Sequence, residues 1–368
     1  MSRKKVIISG GGTGGHVFPA IAIANALKQN MPEIDILFVG ANGKIEMEKV
    51  PAAGFPIKGL PVRGLERKLT LKNFLVLFNL VKSLFLSRKI IKAFKPDIVV
   101  GVGGFASAPV GWMSGKMGIP VLIQEQNSYA GVTNKLLAKY AQKICVAYDN
   151  MERYFPKEKI IKTGNPVRQN LINEQINKNE ALAYFGLKQG KKTILILGGS
   201  GGARSINQGV IAQLNLIKLQ ENVQVLWQTG KFYYKKSVDA LKKSEAQNCK
   251  AFDFITKMDY AYAIADLVIS RAGAATISEI CLLKKATVLV PSPNVAEDHQ
   301  TKNAMALVEK NAAVLIKDDE TEQKMMKTAL EIVNDEKKIA ELSNNAGVLG
   351  IKDSDKIIAN EIIKIIAS

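Results

Sequence analysis

The sequence is short of the residues that build metal, redox and disulfide sites. It has 368 residues but only three cysteines and two histidines. Cys145, Cys249 and Cys281 lie far apart and match no metal-binding or redox spacing, so we expect three small buried thiols in a reducing compartment. No Asp-x-Asp pair follows a predicted strand, and no cluster of histidine, cysteine and aspartate is visible. We therefore expect no bound metal and no cofactor.

Long uncharged runs are also missing. The most apolar segment is interrupted by Lys72 and Lys82, and no run approaches the ~20 residues needed to span a bilayer. The first residues, Met1–Lys5, run directly into a predicted strand, so we expect no signal peptide and no export. Apolar residues make up 47% of the chain and charged residues 23%. That balance is typical of a globular protein, and the length predicts two domains.

The excess of positive charge is concentrated in the first half of the chain. The net charge is +18. Residues 1–165 hold 24 Lys/Arg and 10 Asp/Glu, a net charge of +14, whereas residues 166–368 hold 27 and 23, a net charge of +4. Within the first half, Lys58–Lys95 contains ten basic residues and a single acidic one, Glu66. The first half is therefore predicted to face an anionic partner.

Lys58–Lys95 is also rich in leucine and phenylalanine, a composition that suits docking on an anionic lipid leaflet. The alternative is an ordinary core helix with a solvated basic face. The aromatic residues of Lys58–Lys95 lie within an aliphatic run and do not alternate with the basic residues. Nucleic acid is therefore not expected as a partner.

Apolar runs alternate with helical patterns along the whole chain, which predicts parallel sheets covered on both faces. The predicted strands are Lys5–Ser9, Asp35–Val39, Ile57–Leu60, Ile98–Gly101, Val121–Ile123, Lys143–Val146, Thr193–Leu197, Val223–Trp227, Lys250–Phe252, Leu267–Ser270, Thr287–Val290 and Ala313–Ile316. The pattern restarts near residue 193, so two doubly wound α/β domains are expected. We place them at residues 1–164 and 165–352, with a last helix in residues 353–368 packing back across the seam.

A glycine-rich loop follows the first predicted strand. Gly10, Gly12 and Gly15 fit the G-x-G-x-x-G pattern of dinucleotide sites. That reading also requires a carboxylate at the end of the second strand. The sequence there, Val39–Asn42, has none, and no Gly-Lys-Ser/Thr follows the glycines, so a P-loop is excluded too. His16 comes just after the loop, where it is either a general base or a turn residue that bonds the backbone.

Two further loops of the first domain follow strands and are expected to meet the first one at the same edge of the sheet. They are Gly101–Ser107 and Leu122–Ser128. Glu125 is a candidate base, a candidate orienter of His16, or an ion-paired loop carboxylate. Asn127 offers both a donor and an acceptor for sugar hydroxyls.

The second domain repeats this arrangement with loops suited to a nucleotide. Gly198–Arg204 is a second glycine turn with Ser200 in it, and Ser270–Glu279 follows a strand and opens a helix. Amides at a helix start favour a diphosphate, and Glu279 is placed to bind a ribose diol or to pair with the helix dipole. Pro291–Ala304 adds polar side chains suited to a sugar. We therefore expect the nucleotide in the second domain and the acceptor in the first.

Seven motifs in order make the chain resemble the MurG family of peptidoglycan N-acetylglucosaminyltransferases. They are Gly10–Pro19, Val102–Pro109, Glu125–Asn127, Gly164–Arg168, Gly198–Ala203, Arg271–Glu279 and Asp298–Ala304. The resemblance covers essentially the whole chain. It implies the GT-B fold, in which two Rossmann-like domains face each other across a cleft. Two positions depart from the family pattern: Phe105 stands where tyrosine is frequent, and Gly201 where a larger residue is common.

The resemblance also implies roles for individual residues. The position of His16 after the glycine loop, and not the resemblance, makes it our candidate catalytic base, with Glu125 as the second candidate. The residues expected to contact UDP-GlcNAc or the sugar are Thr13, Gly14, Gly15, Asn127, Arg168, Ser200, Ile255, Ala274, Ala275, Thr276, Glu279 and Gln300. Among them, Ile255 is assigned to uracil, Glu279 to the ribose and Gln300 to the N-acetylglucosamine hydroxyls.

The implied reaction is inverting transfer of N-acetylglucosamine from UDP-GlcNAc to the 4-hydroxyl of the muramoyl unit of lipid I, which forms lipid II. The implied location is the cytoplasmic face of the cell membrane, on its anionic leaflet, with other cell-wall and division proteins as candidate partners. The alternatives are a related enzyme with a different lipid acceptor, a UDP-GlcNAc epimerase and a nucleotide sensor without catalysis. A sensor would have no need for His16.

Overall fold

The computed structural model describes residues 3–62, 72–167, 171, 176–199 and 201–368. The contacts within the chain divide it into two compact units. The first unit is Met1–Val167 together with Ile351–Ser368, and the second is Arg168–Gly350.

The first unit contains a seven-stranded parallel sheet. Its strands are β1 (Lys5–Ser9), β2 (Asp35–Ala41), β3 (Ile57–Leu60), β4 (Ile98–Gly101), β5 (Val121–Glu125), β6 (Ala141–Val146) and β7 (Ile160–Lys162). The order across the sheet is β3-β2-β1-β4-β5-β6-β7. Since β1 pairs in parallel with both β2 and β4, the strand order reverses at β1. The edge beyond the carboxyl ends of β1 and β4 is where open α/β sheets bind ligands.

The second unit contains a six-stranded parallel sheet of the same kind. Its strands are β8 (Lys192–Leu197), β9 (Val223–Gln228), β10 (Cys249–Phe252), β11 (Leu267–Ser270), β12 (Ala286–Leu289) and β13 (Val314–Leu315). The order is β10-β9-β8-β11-β12-β13, so the reversal falls between β8 and β11.

Helices connect the strands in both units. In the first unit they are α1 (Gly14–Asn30), α2 (Glu46–Ala52), α3 (Lys72–Phe94), α4 (Ser107–Lys116), α5 (Val132–Leu137) and, at the end of the chain, α15 (Ser354–Ala367). In the second unit they are α6 (Lys178–Tyr184), α7 (Arg204–Ala212), α8 (Leu214–Lys218), α9 (Lys231–Ser244), α10 (Met258–Ile264), α11 (Ala274–Leu282), α12 (His299–Val308), α13 (Met326–Asn334) and α14 (Glu336–Leu349).

Each predicted strand is present, with its ends shifted by at most two residues. The two doubly wound, Rossmann-like α/β units predicted from the sequence are therefore confirmed. The short edge strand β7 was missed, because a three-residue Ile-Ile-Lys run next to charged residues gives too little signal for a strand.

The last helix belongs to the core of the first unit. Ile358, Ala359 and Ile362 of α15 are fully buried, in the same apolar cluster as Ile23 and Leu27 of α1. The buried positions of α15 recur at i, i+1, i+4 and i+8, the spacing of one face of a helix. Returning the end of the chain to the first unit covers a face of α1 that would otherwise be exposed apolar surface.

The three cysteines are free and buried, as expected. Burial raises the pKa of each thiol to about 12, so all three stay protonated near neutral pH. Among the described residues, no helix is both long and apolar enough to cross a membrane.

Candidate active site

The first glycine-rich loop joins β1 to α1. Gly11 and Gly12 have φ of +148° and +90°, conformations that side chains with a Cβ rarely adopt. Thr13 caps the helix, and its carbonyl accepts hydrogen bonds from the amides of His16 at 3.1 Å and Val17 at 3.2 Å. Gly14 and Gly15 form the first turn of α1, so their amides lie at the positive end of the helix dipole.

His16 is half-buried at the start of α1. Its Nδ1 lies 3.1 Å from the hydroxyl oxygen of Thr13. The other edge of the imidazole lies against the second glycine loop, because a Cβ on Gly103 would come within 2.9 Å of Nε2. The histidine is therefore held between the two loops at the carboxyl ends of β1 and β4.

The second glycine loop packs directly on the first. The amide of Gly11 donates to the carbonyl of Gly103 at 3.3 Å. A Cβ on Gly104 would lie only 2.2 Å from the carbonyl oxygen of Gly11, and Gly104 has φ of +83°. Only glycine allows this approach of the two backbones. Phe105, at the tip of the loop, is 55% exposed.

Glu125 ends β5 and is almost completely buried. Its Oε1 accepts hydrogen bonds from the amide and the side chain of Asn127, at 3.0 and 3.3 Å. Its Oε2 accepts from the amide of Gly131 at 3.0 Å and the side chain of Asn134 at 2.9 Å. Desolvation raises the pKa of Glu125, and these four donors act against the rise. The contacts fix the loop that presents Asn127.

A buried amide network, not foreseen from the sequence, supports the third loop. Gln126 donates to the carbonyl of Val102 at 2.7 Å and also to the side-chain oxygen of Gln124. Gln124 donates to the side chain of Asn165 at 2.8 Å, and Asn165 donates back to the carbonyl of Gln126 at 3.0 Å. The network ties the end of β5 to the loop after β4 and to the stretch that follows β7. The three loops of the first unit thus meet at one edge of the sheet.

Glu46 lies under the first glycine loop, and the sequence analysis did not identify it. It accepts from the amide of Gly12 at 2.9 Å and from the amide of Ala41 at 2.9 Å. A carboxylate therefore does reach the end of β2, contrary to the expectation from residues 39–42. It comes from the start of α2, is 1% exposed, and already has a backbone amide on each of its two oxygens, so it serves the fold of the loop and does not offer a ribose site.

The described residues of the second unit's glycine loop, 198–199 and 201–203, pack closely against β9 and the loop that follows it. A Cβ on Gly202 would lie 2.1 Å from the carbonyl oxygen of Thr229. Gln228, at the end of β9, donates to the carbonyl of Gly199 at 3.0 Å and accepts from the amide of Ile255 at 2.9 Å. Gln228 links the glycine loop to the loop assigned to uracil, a role that the sequence analysis did not predict.

Two of the predicted site residues, Arg168 and Ser200, lie outside the described part of the chain. Gly201 is described, and a Cβ there would meet nothing within 4 Å. The described residues therefore leave room for a Cβ at this position.

Helix α11 begins at Ala274 after an extended Gly273, so Ala274, Ala275 and Thr276 form its first turn. Glu279 is buried on this helix, where its Oε2 accepts a hydrogen bond from the hydroxyl of Tyr262 at 2.9 Å. Tyr262, on α10, was not foreseen as a partner.

A cavity of about 660 Å³ lies in the second unit, next to the glycine loop. Its lining includes Gly198, Gly202, Arg271, Ser292 and Gln300. The side-chain oxygen of Gln300 accepts from the amide of Ser292 at 2.9 Å. Of the residues assigned to UDP-GlcNAc in this unit, Gln300 lines this cavity, whereas Ile255 and Glu279 do not.

Arg271 braces the wall of this cavity. Its guanidinium donates to the carbonyls of Val290 and Pro291, each at 3.1 Å, and to the hydroxyl of Ser205 at 2.9 Å. It also forms an ion pair with Asp318. One side chain thus connects the loops after β11 and β12 with the start of α7.

Family models match both units of the chain. The glycosyltransferase family 28 N-terminal domain matches residues 6–146, and the C-terminal domain of the same family matches residues 193–359. The chain belongs to glycosyltransferase family 28.

Curated relatives support this family membership over the full length. A protein of Parabacteroides distasonis named UDP-N-acetylglucosamine--N-acetylmuramyl-(pentapeptide) pyrophosphoryl-undecaprenol N-acetylglucosamine transferase is 57% identical, covering 100% of this chain and 99% of its own. A Phocaeicola vulgatus protein of the same name is 59% identical over 98% of this chain and 96% of its own.

Solved structures share the fold. The crystal structure of Acinetobacter baumannii MurG matches with a TM-score of 0.79 and 28% identity, covering 98% of this chain and 99% of that one. The resemblance to the MurG family and the GT-B fold class are thereby confirmed. A UDP-GlcNAc 2-epimerase from Neisseria meningitidis, bound to UDP-GlcNAc, matches with a TM-score of 0.70 at 16% identity over 98% and 100%. That likeness is one of fold alone.

Proposed function

We propose that this family 28 enzyme transfers N-acetylglucosamine from UDP-GlcNAc to the 4-hydroxyl of the muramoyl unit of lipid I, with inversion at the anomeric carbon. The products are lipid II and UDP. The observation that carries the proposal is the full-length identity of 57% to a relative named for this transfer. The described motif residues also lie at the carboxyl ends of parallel strands, or in the loops and helix starts that follow them, in both sheets.

In the proposed reaction, His16 takes the proton from the acceptor hydroxyl as that oxygen attacks the anomeric carbon. The anomeric carbon–oxygen bond to the diphosphate breaks, and UDP leaves with the electron pair. A positioned base typically contributes about 10²–10⁴-fold. His16 suits the task because it is half-buried, with a hydroxyl at Nδ1.

Glu125 is the alternative base. Its two oxygens already accept four hydrogen bonds within its own loop. We therefore assign it to holding Asn127 in place and leave proton transfer to His16.

The donor is assigned to the second unit. The first turn of α11, from Ala274 to Thr276, would face the diphosphate, because helix N-termini bind anions. Backbone amides there would also stabilise the charge that grows on the leaving diphosphate, and a single donor of this kind is typically worth ~2.7–4 kcal/mol. Ile255, Glu279 and Gln300 are assigned to uracil, ribose and sugar, and Arg168 and Ser200 to the phosphates.

The acceptor lipid requires the enzyme to work at a membrane surface, and α3 is the proposed docking element. Phe78, Val81 and Phe85 are exposed at i, i+3 and i+7 on one face of this helix, and Lys82 and Lys89 on the same face are exposed as well. This combination suits peripheral binding to the anionic cytoplasmic leaflet. Of the predicted segment Lys58–Lys95, residues 63–71 lie outside the described chain. Cell-wall and division proteins remain proposed partners.

The function is tested by incubating the enzyme with radiolabelled UDP-GlcNAc and a lipid I analogue. The proposal expects label to move into the lipid fraction, and hydrolysis to release a β(1→4)-linked disaccharide. The control reaction omits the acceptor. Conversion of UDP-GlcNAc to another UDP-sugar in that control, with no labelled lipid in the complete reaction, would identify an epimerase and refute the transfer.

A further inference from the structure

The least exposed carboxylate near the proposed acceptor site belongs to Glu46, at the start of α2. Each of its oxygens has a main-chain donor. Oε2 accepts from the amide of Gly12, and Oε1 accepts from the amide of Ala41, both at 2.9 Å. One carboxylate thereby joins the first glycine loop to the end of β2, and its partner Gly12 lies 34 residues before it in sequence.

Two glycines leave room for this side chain. A Cβ on Gly11 would lie 2.2 Å from the carboxyl carbon of Glu46, and a Cβ on Gly40 would lie 2.5 Å from its Cγ. These glycines are thus required by an internal anion. In a dinucleotide-binding loop, such glycines instead let the backbone approach a pyrophosphate.

The carboxylate uses the amide that a bound phosphate would need. The N–H of Gly12 points to Glu46, and a second anion brought to the same amide would meet the charge of the first. Beyond Gly12 the chain continues to Thr13, which caps α1, and then to His16. The contact at Gly12 therefore holds the residue that immediately precedes the cap of α1.

We propose that Glu46 is a positioning residue, an internal anion that fixes the first glycine loop and so places Thr13 and His16 against the second one. The consequence for the acceptor rests on the proposed function. Glu46 sets the position of the base and of the neighbouring loop residues Thr13, Gly14 and Gly15. The uridine of the donor is assigned to the second unit, so the effect of Glu46 on uridine binding is expected to be small.

The test is the Glu46→Gln variant, which keeps the shape but replaces one accepting oxygen with an NH₂ group. Either Gly12 or Ala41 then loses its partner. A buried donor left unpaired costs ~1–3 kcal/mol, so hydrogen exchange in the peptide that contains that amide should rise about tenfold or more. The affinity for UDP, measured by calorimetry, should fall much less than turnover does, because the uridine is assigned to the second unit. Turnover should fall and the KM for the lipid I analogue should rise.

Glu48→Gln is the matched control, because Glu48 is on the same helix with a 76% exposed side chain. It should leave exchange and kinetics unchanged. Gly40→Ala is the second variant. It crowds Glu46 without removing it, and it supplies the same measurements if Glu46→Gln does not fold. As a single variant, Gly40→Ala should loosen the loop. In the double variant with Glu46→Ala it should add little, because the space beside Gly40 is then empty.

Unchanged exchange at Gly12 and Ala41 in both Glu46→Gln and Gly40→Ala would overturn the proposal. A loss of UDP affinity as large as the loss in acceptor kinetics would also overturn it, since the effect would not be confined to the first unit. A wrong proposed function would give a different result: the wild type would show no transfer. The exchange measurements would still test the role of Glu46 in that case.

Discussion

The imidazole of His16 fills the space beside the Cα of Gly103, so that a Cβ on Gly103 would lie 2.7 Å from Cδ2 and 2.9 Å from Nε2. Two residues separated by 87 positions in the sequence thus restrict each other's side chains. The glycine must lack a side chain for the histidine to occupy its position, and its φ of +88° is one that glycine adopts readily.

Gly103→Ala should therefore act on catalysis through His16. We expect turnover to fall by about 10²-fold or more, in the direction of His16→Ala, because the base loses its placement. The affinity for UDP should stay within a fewfold of wild type in both variants. Steady-state kinetics with the lipid I analogue and calorimetry with UDP measure the two quantities. Collapse of UDP affinity with turnover retained would show that His16 is not the base.

Gln228, in contrast, should affect the affinity for UDP. Gln228→Leu removes the link between Gly199 and Ile255, and the amide of the buried Ile255 loses its side-chain acceptor. We expect UDP binding to weaken about tenfold, since such a loss costs ~1–3 kcal/mol. Gln247→Leu, at an exposed position, is the control. Equal UDP affinity in Gln228→Leu and wild type would disprove this role.

The stability of the second unit should depend on pH through Lys285. Burial lowers the pKa of Lys285 to about 8, with a further effect of Lys178 in the same direction, and its ammonium donates to the carbonyl of Ala265 at 2.8 Å. Between that pKa and the value of about 10.5 in the unfolded chain, only the unfolded state holds the proton. The free energy of unfolding therefore rises with pH in this window.

Relative to Lys285→Met, the wild type should gain about 2 kcal/mol between pH of about 7.5 and about 10. Urea denaturation at several pH values measures the difference, and Lys235→Met, at an exposed position of α9, is the control. A difference that is flat with pH would mean that the pKa of Lys285 is not lowered.

The docking face on α3 predicts a specific pattern of liposome binding. Phe78→Ser with Phe85→Ser should reduce binding to vesicles that contain anionic lipid, because two side chains that are 66% and 69% exposed lose their apolar contact. Phe232→Ser, in the second unit and 90% exposed, is the matched control. Binding should weaken with salt and with a lower anionic fraction. Binding that ignores both would rule out an electrostatic docking face.

The strands were predictable because buried parallel strands are near-continuous apolar runs, as in Thr193–Leu197, and because each is followed by a glycine or polar loop. The positions of His16, Asn127 and Glu279 at strand ends or helix starts were accessible for the same reason. These features depend on local sequence, and topology then brings the loops to one edge of each sheet.

The supporting residues were not predictable in this way. Glu46 bonds to Gly12, Gln228 to Ile255 and Arg271 to Asp318, partners that lie 34, 27 and 47 residues away in sequence. No local pattern records such pairings. Glu46 also shows why the absence of a carboxylate in residues 39–42 gave a wrong expectation for the end of β2. The acidic group reaches the strand end from the following helix. What excludes a ribose there is its burial and its two amide partners.

The central claim is that the donor nucleotide binds the loops of the second unit, while the first unit supplies the base and holds the acceptor. Photocrosslinking with a 5-azido-uridine analogue of UDP-GlcNAc, followed by peptide mapping, tests it most directly. The account predicts labelled peptides from residues 253–255 and 271–279. Labelling confined to residues 10–16 of the first unit would contradict it.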